Sequence, residues 1–117
     1  MEFKFEKLNV WKRAMELGEE INKQMLEFPK IERYNLSSQI SRAADSVALN
    51  ISEGSIGQSN KELKRFLRYS IRSVAEVVTC LHKAKNRKYF TEVVFKKLYS
   101  DCFVLMNMLI AFNKSIE

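Results

Sequence analysis

The sequence predicts an all-α protein folded as an antiparallel, up-down-up-down four-helix bundle. Three observations carry that expectation. The 117 residues include only three glycines and one proline, which leaves little material for the tight turns of a sheet. Apolar residues recur at intervals of three and four along most of the chain. The stop signals are few and far apart, and short links between long helices favour antiparallel neighbours. A hydrophobic fraction of 46% is ample for one core, so residues 1–117 read as a single domain with no internal repeat.

The first helix is expected from about Phe5 to Glu27, with Leu8, Trp11, Met15, Gly18, Ile21 and Met25 along one side. Pro29 ends it, because the residue before a proline, Phe28, is pushed out of the α region. The second helix runs from Asn35 or Leu36 to Glu53. Its apolar positions, Leu36, Ile40, Ala43, Ala44, Val47 and Ile51, include small residues that predict close packing against one partner. Gly54 offers a left-handed residue to close this helix, and Gly57 marks the turn that follows. Ser59 with Glu62 reads as a capping box that starts the third helix at Lys61, from where it continues to about Asn86. Thr91 and Glu92 supply a cap and an acidic first turn for a fourth helix reaching Ser115.

Polar residues flank the core side of the second helix. Gln39, Arg42, Asn50 and Glu53 there, with Glu76 on the third helix, are expected to form a structural polar cluster that fixes register between the two. A catalytic role for Asn50, Glu53 and Glu76 is the weaker reading, since no nucleophile and base can be paired by spacing.

Charge is distributed unevenly. The formal net charge of +6 comes entirely from the second half: residues 58–117 hold twelve Lys/Arg against five Asp/Glu, whereas residues 1–57 hold eight against nine. On the third helix Leu63, Leu67, Ser70, Val74, Val77, Val78 and Leu81 fall on one side, and Lys61, Arg65, Arg68 and Arg72 fall in a narrow arc opposite, flanked by Lys64. These cations lie toward the helix N-terminus, where the dipole disfavours them, so something must offset their cost. Phosphate is one candidate, and Lys61, Lys64, Arg65, Arg68 and Arg72 form the expected nucleic-acid-binding set. Glu76, four residues after Arg72, is another. Lys83, Lys85, Arg87 and Lys88 continue the positive charge into the helix end and loop, where they read equally as part of an anion-binding surface or as cations that the same dipole favours without a ligand.

The fourth helix is more apolar than one core requires. Phe95, Leu98, Cys102, Leu105, Leu109, Phe112 and Ile116 make a continuous core stripe, and Tyr99, Phe103, Met106 and Ile110 form a second row beside it. Such a row predicts an oligomer interface unless other parts of the same subunit cover it.

Little points to an enzyme. His82 stands alone, without acidic or cysteine neighbours at metal-ligand spacing, and no Gly-rich phosphate loop is present. No metal and no cofactor is expected. Cys80 and Cys102, at core-like positions and without framework spacing, read as reduced thiols. No run is long and apolar enough to cross a bilayer, and Met-Glu-Phe-Lys-Phe-Glu-Lys lacks the core of a secretory signal. A cytoplasmic protein is the expectation.

The segment Gln39-x-x-Arg42-Ala43-Ala44-x-Ser46-Val47-x-x-Asn50-Ile51-x-Glu53-Gly54 resembles the signature of the 23S rRNA intervening-sequence protein family, also called the four-helix bundle proteins. Leu8-x-Val10-Trp11-Lys12-x-Ala14-Met15, Phe28-Pro29-x-x-Glu32-Arg33 and Phe66-Leu67-Arg68-x-Ser70-x-x-Ser73-x-x-Glu76 extend the resemblance over almost the whole chain. The fourth helix matches in its apolar pattern only. The resemblance implies a bacterial protein that assembles into ring-shaped homopentamers. A similar fold serves as the accessory protein of reverse transcriptases in diversity-generating retroelements. Two functions follow as expectations: an RNA-binding ring that reads phosphates through the basic stripe, or a scaffold that docks an acidic or nucleic-acid-bound protein.

Overall fold

A computed structural model describes residues 1–117. Four helices, α1 (Asn9–Met25), α2 (Leu36–Ser55), α3 (Asn60–Asn86) and α4 (Glu92–Ser115), form an up-down-up-down bundle about 43 Å long. Each helix packs on its sequence neighbours, and α1 closes the bundle against α4. Between them runs one apolar core, in which Ile21, Leu36, Ile40, Ile51, Leu67, Leu81, Leu98, Leu105 and Leu109 are fully buried.

Two caps follow the sequence. The Ser59 hydroxyl accepts from the Glu62 N–H at 3.1 Å, and the Thr91 hydroxyl accepts from the Val94 N–H at 3.2 Å, so each helix begins where a side chain can satisfy an orphan amide. The reciprocal half of the capping box is missing. Glu62 turns instead toward the preceding loop, where its carboxylate occupies the space a Cβ on Gly57 would need.

Helix α1 starts later than expected, at Asn9, because Leu8 is extended and a separate 3-10 turn covers Lys4–Lys7. Its innermost row is Val10, Ala14, Leu17 and Ile21; Met15 is exposed, and Trp11 and Gly18 border a groove against α2. Both rows repeat at helical spacing, and the smaller Val10 and Ala14 allow the closer approach to the core.

Gly54 corrects the sequence reading most clearly. No glycine in the chain has positive φ, and α2 continues through Gly54 to Ser55. The glycine is needed for proximity: a Cβ there would lie 2.6 Å from the Cβ of Phe66 on α3. The α2–α3 pair is the most closely packed in the bundle. Ser46 and Ser73 hydroxyls meet across it at 2.6 Å, and the buried Ser70 hydroxyl donates to the Val47 carbonyl at 2.9 Å. The residue that does take the left-handed conformation is Lys88, with φ of 63°. It closes α3 in a Schellman turn, in which the Tyr89 N–H reaches the Ala84 carbonyl and the Lys88 N–H reaches that of Lys85.

Candidate nucleic-acid interface

Lys61, Arg65, Arg68 and Arg72 are all exposed, on the outward face of the half of α3 that follows the α2–α3 turn. None of the four forms an ion pair within the chain. Glu76 does not offset Arg72 by pairing with it, so the charge of the stripe remains unneutralised. Arg65 lies over the Phe66 ring at 5.3 Å, a contact that steadies the guanidinium without occupying its donors.

Lys64 departs from this set. Half-buried, its Nζ donates to the Ile116 carbonyl at 3.1 Å, while Asn113 Nδ2 donates to the Lys64 carbonyl at 2.9 Å. These two bonds latch the start of α3 to the end of α4. Position on the helical wheel explains the difference, since Lys64 points toward α4 and the other four point away from both neighbours.

The cations at the far end of α3 are mostly engaged inside the molecule. Lys83 Nζ lies 3.4 Å from Gln39 Oε1, Lys85 lies 3.7 Å from Glu92 and over the Phe95 ring, and Arg87 pairs with Glu32 at 3.0 Å. Of this group only Lys88 has no such partner. The stripe and the helix end thus differ in kind: one is open to a ligand and the other ties turns together.

The expected polar cluster does not form. No hydrogen bond or ion pair joins any two of Gln39, Arg42, Asn50, Glu53 and Glu76; Arg42, Glu53 and Glu76 are exposed, and Asn50 Nδ2 donates to the Ser46 carbonyl one turn back. The Ser46, Ser70 and Ser73 hydroxyls make the hydrogen bonds across the α2–α3 contact, and Arg42, Glu53 and Glu76 are left at its exposed edge.

A polar centre that the sequence did not single out sits at the other end of the bundle. Glu32, only 6% exposed, accepts from the Tyr89 hydroxyl at 2.7 Å, Arg87 at 3.0 Å, Asn35 Nδ2 at 3.2 Å and the Leu36 N–H at 3.4 Å. It caps α2 and joins the α1–α2 turn to the α3–α4 turn, with Phe28 packed against Tyr89 and Phe90 beneath. The Tyr89 hydroxyl holds the Glu32 carboxyl below the usual carboxylate range against the opposing effect of burial, and Glu32 in turn raises the Tyr89 phenol. Its one sequence signal was the motif Phe28-Pro29-x-x-Glu32-Arg33.

The thiols are unreactive by environment. Burial raises Cys80 and pushes Cys102 up to about 12, leaving both as packed apolar groups. His82 is exposed and meets Phe95 and Tyr99 edge-on at 5.1 and 6.0 Å. No helix is long and apolar enough to cross a membrane.

The second apolar row of α4 is not covered within the chain. Phe103 is 59% exposed, Tyr99 and Ile110 are exposed as well, and Met106 is half-buried. With Val74, Ala75 and Val78 of α3, the Tyr99, Phe103 and Met106 side chains border a wholly apolar groove.

Among solved structures, the chain is similar to a protein of unknown function from the S23 ribosomal protein family of Bacteroides thetaiotaomicron. The two share 21% identity and superpose with a TM-score of 0.80, covering 90% of this chain and 98% of the other. That likeness establishes the fold. None of the curated proteins matches the sequence. The family model described as 23S rRNA-intervening sequence protein matches residues 6–111, which takes in α1, α2, α3 with its stripe, and α4 up to its last turn. The chain belongs to the 23S rRNA-intervening sequence protein family.

Proposed function

We propose that this protein is a non-enzymatic, cytoplasmic RNA-binding protein that contacts phosphates through Lys61, Arg65, Arg68 and Arg72. The observation that carries the reading is that these four cations share one outward face and have no anionic partner in the chain, whereas Lys85 and Arg87 at the other end of α3 are paired with carboxylates. Unpaired cations held on a rigid helix suit a backbone ligand, because phosphates repeat regularly and can be met without reading bases.

Self-association belongs to the same proposal. The uncovered row of Tyr99, Phe103, Met106 and Ile110 supports a homo-oligomer, and the resemblance of the sequence to ring-forming proteins supports a pentamer. A ring would present the stripe once per subunit, so weak phosphate contacts would add up through avidity. Reversing the charge of Arg65 and Arg68 together tests the reading. The variant should assemble like the wild type and bind single-stranded RNA at least tenfold more weakly in a filter assay. Undiminished binding by the assembled variant would contradict the reading, and no RNA binding by the wild type would favour the scaffold alternative, in which the face docks an acidic protein.

A further inference from the structure

The turn between α1 and α2 exposes more apolar surface than its role as a connection requires. Leu26, Ile31 and Tyr34 all project from it, Tyr34 being 86% exposed. Beside them lies a shallow, open hollow of about 570 Å³. Met25, Leu26, Phe28 and Pro29 supply its apolar wall, and Lys30, Arg33 and Tyr34 its rim.

No acidic residue lines this hollow, and neither Lys30 nor Arg33 forms an ion pair. The Arg33 guanidinium stands over the Tyr34 ring at 5.4 Å, which keeps a cation and an open aromatic face together. Ser37, Ser38 and Ser41 line the α2 side. Their hydroxyls make no hydrogen bond within the chain, whereas Ser46, Ser55 and Ser73 donate back to their own helices. The turn itself is fixed, because Glu32 points inward and is held by Tyr89, Arg87 and the Leu36 N–H. Flat aromatic surface, two free cations and a row of unused hydroxyls therefore meet on a rigid support.

We propose that this hollow binds one nucleotide unit. The base stacks on Tyr34 against the apolar wall, the phosphate lies between Lys30 and Arg33, and the serine hydroxyls bond the sugar or the base edge. A neutral apolar ligand would leave the two rim cations unused, and an acidic peptide would leave the aromatic face unused. Base plus phosphate is the chemistry of a free nucleotide and equally of an unpaired nucleotide in RNA. Assigning the RNA strand as its source rests on the proposed function above. The hollow and the stripe begin at opposite ends of the bundle, so the two can be disabled separately.

Full-length protein titrated with a single-stranded 12-mer RNA, the same sequence as a duplex, and adenosine monophosphate tests the proposal. The wild type should prefer the single strand over the duplex. Tyr34→Ala should weaken single-strand binding by about 5- to 150-fold, the loss of one stacked base, and leave duplex binding unchanged. Tyr34→Phe should restore the wild-type affinity within about twofold, because stacking needs only the ring. Competition by millimolar adenosine monophosphate against the 12-mer that is lost in Tyr34→Ala would place the shared chemistry in the hollow; monophosphate binding that is lost in Tyr34→Ala but leaves the 12-mer affinity unchanged would assign a free nucleotide as the source. Wild-type single-strand affinity in Tyr34→Ala, with no monophosphate binding, would overturn the proposal while leaving the stripe reading to its own charge-reversal variant. Binding of a polyglutamate peptide in place of both nucleotide probes would overturn it equally.

Discussion

Glu32 should contribute most to stability at neutral pH and lose that contribution on acidification. Its folded carboxyl titrates below the ordinary range, chiefly because the Tyr89 hydroxyl donates to the charged form, so the unfolded chain binds the proton more readily. The stability it contributes is complete above the ordinary carboxylate value and is lost as pH falls through the lowered folded value. Urea midpoints measured from pH 7 to pH 3 should therefore fall less steeply for Glu32→Gln than for the wild type, from a lower starting midpoint at pH 7. Parallel acid limbs would contradict the assignment. This centre was hard to see in the sequence because its partners Arg87 and Tyr89 lie 55 and 57 positions away, and an isolated glutamate in a turn reads as surface charge. The stripe was easier. Lys61, Arg65, Arg68 and Arg72 stand at helical spacing on one side of an otherwise apolar pattern, and the structure leaves them exposed. Lys64, one position before Arg65, was misplaced because only the packing of α4 reveals its contact with the Ile116 carbonyl.

At the scale of the helix, two glycines that look alike in sequence have opposite roles. A Cβ at Gly54 would collide with the Cβ of Phe66, whereas one at Gly18 would meet nothing within 4 Å. Gly54→Ala should cost about 1–3 kcal/mol as α3 is forced outward. Gly18→Ala should stabilise by about 1 kcal/mol, the difference in helix propensity. Equal effects in chemical denaturation would contradict the close α2–α3 contact. Lys88 supplies a third case. A lysine in the left-handed conformation carries a cost that glycine does not, so Lys88→Gly should raise stability by about 1 kcal/mol. Helix starts at Ser59 and Thr91 were legible because capping is local chemistry. The end of α2 and the inner row of α1 were not, because they depend on which neighbouring helix comes closest.

Across the whole molecule, the bundle follows from periodicity and short links, and the small-residue side of α2 foretold its tight pairing with α3. What lies outside one chain is less visible. The apolar row of α4 was identified as surplus to the core, and it is uncovered here, which leaves assembly to be measured in solution. Sedimentation at micromolar protein and physiological salt should give a mass several times that of one chain, and Phe103→Asp should shift it toward the monomer. A monomeric wild type would contradict self-association. The central claim concerns the stripe, and the salt dependence of RNA binding tests it most directly. Each phosphate neutralised on a single strand contributes roughly 0.7 to the slope of log affinity against log salt, so the slope reports how many cations the RNA meets. The wild type should show a steep negative slope, and the Arg65 and Arg68 charge-reversal variant should lose at least about 1.4 of it per engaged subunit. An assembled variant that keeps both the affinity and the slope of the wild type would contradict the account.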